Sequence, residues 1–364
     1  MTIIIFLLVL ALLIFVHELG HFIAAKWSGV RVDEFAIGFP PEIYSWKRGE
    51  TKYAINLIPF GGYVKIFGEK PEDGDENLPD ASRSFVNALK YKQALILVAG
   101  VFFNFLLAWL FFTISFLAGV PATTDQSLDK YVGEQKVMIL SVEDKSPAKL
   151  SGLETGDLIL AMKSGTKTMA TTTVDNVVAF VRDSQSPIVI TYSRANKILM
   201  ATATPVTTVS GANKQKALGI SLTEAAILQL PIHLAVWQGL VTTYNTTVLT
   251  VVSLARLIGS AFVGQADFSQ ISGPIGIVNM VGAAKAIGIS YLLGFIAMIS
   301  VNLAVINLIP FPALDGGRLL FVLIEAIIRR PIKVKVANIL NAVGFALLIA
   351  LMIYISIKDV IKFF

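Results

Sequence analysis

Residues 3–25 read IIIFLLVLALLIFVHELGHFIAA, an apolar run with a His-Glu-x-x-His pattern set into its last third. About 20 residues rising about 1.5 Å each cross a hydrocarbon core of about 30 Å, so the run predicts a membrane-spanning helix. On that helix His17 and His21 stand four apart on one face, and both imidazoles reach a single Zn2+ at about 2.0–2.1 Å. Glu18, displaced around the helix, is placed to act as general base on a water held at the ion. A lone histidine in such a run is usually a core residue bonded to a neighbouring helix, but a pair bracketing a glutamate fits metal chemistry better. His17 lies about 24 Å along the helix, in the inner half of the membrane if the chain enters from outside. An ionised carboxylate near mid-bilayer costs about 2–3 kcal/mol or more, and a bound cation would offset it.

The surrounding composition agrees. Of 364 residues 55% are hydrophobic and 15% charged, whereas a soluble domain averages about 45–50% and about 25%, so much of the chain must face lipid. The chain has no cysteine and only three histidines, His17, His21 and His233. A zinc site must therefore use nitrogen and oxygen ligands, and disulfides are excluded. The net charge of +5 reads as topology-setting charge in loops, with no nucleic-acid partner.

Outward from the first run, the expected architecture is a polytopic α-helical membrane protein of about four transmembrane helices. It carries a membrane-associated β-hairpin and one inserted, mixed α/β PDZ domain. A first span covers 1–25, and its lack of a basic leader and small-residue cleavage site argues against a signal peptide. A cytoplasmic or membrane-reentrant hairpin region follows over 26–92. There the runs Thr51–Leu57 and Tyr63–Phe67 flank a turn at Ile58-Pro59-Phe60-Gly61-Gly62. The acidic stretch Pro71 to Asp80 reads as a solvated loop. A second span covers 93–120, the β-rich domain 128–208, an interfacial amphipathic helix region 218–285, a third, interrupted span 289–328 and a fourth 336–358. Lys26, Arg31, Lys47, Arg48 and Lys52 follow span one, and Arg329, Arg330, Lys333 and Lys335 follow span three. The positive-inside rule places these in the cytoplasm and both termini and the β-rich domain outside, in a multi-pass protein of the cell inner membrane.

Catalytic zinc usually takes three protein ligands. The third apolar segment holds NLIPFPALDGG at residues 307–317, where prolines and glycines interrupt a stretch twice the length of one span. Irregular backbone at membrane depth is tolerated only where protein or a water-filled cavity covers it, and an aspartate there marks a functional site. Asp315 is thus the expected third ligand, the alternative being a turn aspartate that caps the next helix. His233 falls on the outward side and reads as an interface residue. Asn302 and Asn307 are amides in an apolar segment, and leaving one unpaired costs about 1–3 kcal/mol, so each needs a partner. Interhelical bonds would serve Asn302, and Asn104 reads as a packing amide.

The His17–His21 pattern together with Asn-x-x-Pro-x-Pro-x-Leu-Asp-Gly resembles the site-2 protease family, the M50-type intramembrane zinc metalloproteases. The order of elements is similar to the bacterial RseP-like branch, regulators of sigma-E signalling. The likeness extends to Gly100–Asn104, to Ser272-Gly273-Pro274-Ile275, and to a PDZ-like signature in Ser146–Leu153 and Gly156–Leu160. It implies one Zn2+ per chain held by His17, His21 and Asp315, with Glu18 as base. It also implies a substrate cleft shaped by Asn302, Asn307, Pro310 and Pro312, with Gly61, Gly62 and Asn104 contributing. The implied activity is regulated intramembrane proteolysis of single-pass substrates such as anti-sigma factors or signal-peptide remnants, filtered by the PDZ domain, which would bind substrate or regulator. This chain has one such domain where several relatives have two. A closed substrate helix must unwind before attack, and strand addition to the hairpin, with close approach at Gly61 and Gly62, would satisfy its freed backbone. Two rivals stand: a metal or ion transporter, which would show more intramembrane polar groups or an inverted repeat, and a non-catalytic PDZ scaffold, which has no use for Glu18.

Overall fold

The computed structural model describes residues 1–69, 80–122, 129–131, 133, 136–170, 173–194, 197–210, 213–265 and 272–363. The loop expected over Pro71 to Asp80 lies outside the described residues except at its last position. The chain forms two units, residues 1–111, 240–279 and 296–364, and residues 112–239 and 280–295.

In the first unit, helix α1 runs Thr2–Trp27. Its apolar run over Ile3–Val16 faces lipid as a helix, which pairs the interior backbone groups within the segment. Two long strands follow, β1 (Val32–Arg48) and β2 (Thr51–Ile66), joined at Gly49-Glu50. The strands reverse at this charged tip, and β2 reverses again between Ile55 and Gly62, where the turn was expected, although the two runs flanking that turn pair with Val32–Ile37 between them and not with each other. The two strands fold over on themselves. Val32–Ile37 pairs with Gly62–Ile66 on one side and, in ascending register, with Lys52–Ile55 on the other, while Glu42–Arg48 pairs back on Thr51–Asn56. Four runs result, with Gly62–Ile66 at one edge and Glu42–Arg48 at the other. Gly38, at φ +83°, and the adjacent Pro40-Pro41 interrupt β1 and allow the bend. Glu50 at the tip takes a bidentate pair from Arg83 (2.7 and 2.8 Å) and a bond from Lys26 of α1 (2.7 Å). The Arg83 guanidinium first, then Lys26, holds the Glu50 carboxyl down to about 2.

Helix α2 (Lys90–Ala118) is the second apolar helix. The segment expected as one interrupted span, 289–328, resolves into α7 (Ile289–Leu308) and α8 (Asp315–Ile328). At 14 residues α8 is too short to cross about 30 Å, and Lys90 of α2 anchors its Glu325 at 2.6 Å. Helix α9 (Val334–Phe363) follows. Among the described residues four helices are long and apolar enough to cross a membrane: α1, α2, α7 and residues Val334–Ile361 of α9. The chain is a multi-pass membrane protein. Ala24, Ala25, Val32, Ile66, Ile96, Leu97 and Val322 pack into one core that joins α1, the sheet, α2 and α8.

The second unit is β-rich. Strands β3 (Val120–Ala122), β4 (Lys136–Val142), β5 (Leu158–Ser164), β7 (Ile188–Arg194), β8 (Lys197–Ala203) and β11 (Ile220–Leu228) form a sheet in the order β3-β11-β4-β5-β7-β8, with β6 (Lys167–Ala170) paired to β5, while β9 (Val206–Ser210) and β10 (Asn213–Ala217) pair with each other. Helices α3 (Pro147–Leu150) and α4 (Val174–Asp183) accompany it. Fully buried Ile139, Leu153, Ile159, Ile188, Ile190, Val177 and Leu218 make its core. Asp157, fully buried, receives a bidentate pair from Arg194 at 2.7 Å on both oxygens, which ties the start of β5 to the end of β7.

Two boundaries are corrected. The β-rich domain does not end at 208, because β11 supplies an interior strand of its sheet. The region 218–285, expected as interfacial helix, therefore begins with that strand and continues as α5 (Ile232–Phe262) and α6 (Pro274–Ile287). A strand is recruited by its partners across the sheet, which local hydropathy does not register.

Candidate metal centre

The break between α7 and α8 brings Asp315 to the His17–His21 face. Phe311 and Leu314 turn the chain with short bonds, Phe311 N–H to Ile309 O at 2.7 Å and Leu314 N–H to Phe311 O at 3.1 Å, and Ala313 sits at φ +77°. The loop lies so close over the first turn of α8 that a Cβ at Gly316 would fall 2.3 Å from the Leu308 and Ile309 oxygens, and one at Gly317 2.2 Å from the Phe311 oxygen. The paired glycines are thus a steric requirement of the loop. Helix α8 is capped at Leu314 without a side-chain bond, so the carboxylate of Asp315 is not used as a cap. It faces the histidines instead.

Asp315 Oδ2 stands 2.9 Å from His17 Nε2 and 3.4 Å from His21 Nε2, and the two Nε2 atoms are 3.2 Å apart. A tetrahedral ion with ligands at about 2.0–2.1 Å sets neighbouring ligand atoms about 3.3 Å apart. The triangle has the size of one face of that tetrahedron. Two imidazoles and a carboxylate converging on one point are also electrostatically complementary to a cation, and an N/O donor set is one that zinc accepts. The residues present fit a zinc ion. Among the described residues these three form the group of side chains able to hold a metal.

Helix α2 backs the pair. His21 Nδ1 is 2.8 Å from the Ile96 carbonyl, and the Asn104 side-chain amide is 3.2 Å from His17 Nδ1. Between them Gly100 leaves no room for a side chain: its Cβ would lie 2.4 Å from His21 Nε2 and 2.8 Å from His17 Cε1. Gly20 allows the approach from the α1 side, with a Cβ there 2.5 Å from the Ala99 oxygen. Asn104, expected to contribute to the cleft, is fully buried against His17 and presents nothing to a substrate.

Glu18 is half-buried and accepts a hydrogen bond from the Val64 N–H at 3.1 Å. The donor lies on the Gly62–Ile66 edge of the sheet. Gly61 and Gly62 were expected to admit a substrate backbone, but both are buried. Gly62 is crowded by the Ala36 oxygen, 2.7 Å from a would-be Cβ, and Gly61 by Ile14 and Phe39 side chains. Asn307 places its Nδ2 3.5 Å from His17 Nε2, at the rim of the ligand triangle. Asn302 finds its partner in α5, accepting from the Thr250 hydroxyl at 2.8 Å. Pro310 is exposed, whereas Pro312 rests on Gly344 of α9. His233 is exposed on the first turn of α5 and outside the ligand group.

Sequence reasoning missed the Val64 amide, the Ile96 carbonyl and an ion pair between Arg318, one turn past Asp315, and Glu69. The first two are backbone atoms and leave no signature in residue type. Arg318 was open to notice as the one cation of α8, whose other charged residues are Asp315 and Glu325.

The family described as Peptidase family M50 matches residues 5–351 of the chain. Over 362 residues the chain is 38% identical to a Clostridium perfringens protein named "Putative zinc metalloprotease", with 99% of each covered. It is 31% identical over 375 positions to a Rhizobium meliloti protein of the same description, covering 98% of this chain and 95% of the relative. It is 29% identical over 438 positions to the zinc metalloprotease RasP of Geobacillus kaustophilus, covering 100% and 98%.

Proposed function

The chain belongs to peptidase family M50, the membrane zinc metalloproteases, and we propose that it hydrolyses peptide bonds in the transmembrane segments of single-pass proteins. His17, His21 and Asp315 hold the zinc, and Glu18 is the general base. The observation that carries this reading is the ligand triangle of 2.9, 3.2 and 3.4 Å with the glutamate of the same helix turn beside it.

Bound there, zinc supplies Lewis acidity, polarising the scissile carbonyl and lowering the pKa of an adjacent water. Glu18 takes a proton from the attacking water as its oxygen bonds to the carbonyl carbon, then delivers that proton to the leaving amine as the C–N bond breaks. The Val64 N–H keeps the Glu18 carboxylate aimed for this exchange. The Asn307 amide, at the rim of the triangle, donates to the carbonyl oxygen as negative charge develops there.

The sheet edge gives the substrate its seat. An unwound segment has lost its helical hydrogen bonds and cannot find replacements in lipid. Laid along the Tyr63–Lys65 part of this edge, beyond the buried Gly62, it becomes a further strand beside Val64, whose amide holds the base. The hairpin's exposed Ile37, Phe39, Ile43, Tyr44 and Leu57 suit a sheet set into the membrane. The β-rich unit acts as an extracytoplasmic PDZ domain that excludes substrates still carrying bulky outer domains, in a protein of the inner membrane.

The test is cleavage of a single-pass membrane substrate in detergent by wild type, Glu18→Gln and Asp315→Asn. Loss of about 10²–10⁴-fold in kcat for Glu18→Gln, with zinc retained, is expected. Wild-type cleavage by Glu18→Gln would remove the mechanism.

A further inference from the structure

Ile96, Gly100 and Asn104 stand four apart along α2 and present one face to the two histidines. Each does something different for the imidazoles. The Ile96 carbonyl can only accept, so the His21 Nδ1 at 2.8 Å carries the hydrogen and the lone pair of Nε2 is free toward Asp315. Gly100 gives both rings space. The His17 ring meets the same demand: its Nε2 is the atom in the ligand triangle, so its Nδ1 must carry the hydrogen and needs an acceptor.

The Asn104 side chain is the group at that position, 3.2 Å from Nδ1. An amide nitrogen turned to Nδ1 would donate into its lone pair and leave the hydrogen on Nε2, pointing into the triangle and closing it to a metal. A half-turn about the Asn104 Cβ–Cγ bond presents Oδ1 instead. The opposite site, where Oδ1 otherwise lies, is buried and meets no donor, so the half-turn forfeits no hydrogen bond there. The backbone beneath is fixed, since the Ser300 hydroxyl donates to the Asn104 carbonyl at 2.8 Å.

We propose that Asn104 is the positioning residue that sets the tautomer of His17, accepting through Oδ1 from Nδ1–H and so freeing Nε2 for zinc. The proposal rests on His17, His21 and Asp315 being the ligands. It replaces the role expected for Asn104 in the substrate cleft, and it makes one helix face of α2 the outer support of both imidazoles.

The experiment measures zinc affinity by chelator competition in wild type, Asn104→Asp, Asn104→Ala and Asn104→Leu, alongside ¹⁵N-histidine spectra of the zinc-loaded proteins. With three histidines in the chain the spectrum holds few signals. Asn104→Asp keeps an acceptor and should stay within about threefold of wild type, while Ala and Leu lose about 10–100-fold. The His17 Nδ1 signal should be of the protonated, N–H type in wild type and Asn104→Asp, and should lose its hydrogen-bonded shift in Ala. Equal losses in Asp and Ala, or wild-type affinity in Ala, would overturn the proposal. If Asn104→Leu does not fold, the Asp and Ala pair decides. Wild-type protein that takes up no zinc, or an Asp315→Asn variant that keeps wild-type affinity, would instead strike at the ligand assignment itself.

Discussion

Gly100 shows how a residue without a side chain can shape a candidate metal site. A methyl group there would sit 2.4 Å from His21 Nε2, inside any allowed contact, so the imidazoles or the whole of α2 must shift to admit it. Gly100→Ala should therefore weaken zinc binding by about tenfold or more, read by chelator competition, with helix content by circular dichroism unchanged. Thr250 makes a smaller case. Its hydroxyl satisfies the Asn302 amide oxygen, so Thr250→Val should destabilise the protein by about 1 kcal/mol, measured by thermal unfolding in detergent, without loss of zinc. The His17–His21 pair was legible because i and i+4 on a helix is local geometry. Asn104 was visible too, but its contact with His17 was not: a buried amide in a span looks the same in sequence whether it packs a helix or meets an imidazole.

At the level of elements, the α7–α8 loop and the hairpin each depend on a few contacts. Gly316→Ala would drive a Cβ into the carbonyls of Leu308 and Ile309, so the loop must open and carry Asp315 with it. A loss of about 1–3 kcal/mol in stability together with lower zinc content is the expected outcome, from unfolding curves and metal analysis. The hairpin tip should respond to acid. The pKa of Glu50 is lower in the folded state, about 2, than the unfolded value of about 4.3, so its clamp is fully present above about 4.3. It is lost as pH falls from there toward about 2. Trp46, stacked on Tyr53 in the sheet, reports this in a form whose Trp27, Trp109 and Trp237 are replaced by Phe. Its emission should shift below about pH 4.3, and a flat profile would contradict the clamp. The Pro/Gly turn at Ile58–Gly62 was legible from its turn residues, but not that Val32–Ile37 lies between the runs it joins; the charged tip at Gly49-Glu50 is held by Lys26 and Arg83, which sequence distance hides.

For the whole molecule, the absence of cysteine offers a direct test of topology. Single substitutions Lys47→Cys and Lys197→Cys, both at exposed positions, should react with a membrane-impermeant maleimide from opposite sides: Lys197→Cys in intact cells, Lys47→Cys only after the cytoplasmic face is opened. The reverse pattern would invert the orientation read from loop charge. The four helices long and apolar enough to cross, among the described residues, were legible because length and hydropathy are what a bilayer selects. The reach of the β-rich domain was not, since β11 joins its sheet across intervening segments.

The sequence by itself determined the spans, the paired imidazoles with their glutamate, and the need for a third oxygen or nitrogen ligand, because each follows from helix periodicity and the cost of polar groups in lipid. Only the tertiary structure decided which backbone and amide atoms surround them: the Val64 N–H on Glu18, the Ile96 carbonyl on His21, the Asn104 amide on His17. Those neighbours are set by how α2 and the sheet edge pack against α1, a matter of shape and hydrogen-bond direction that residue identity does not encode.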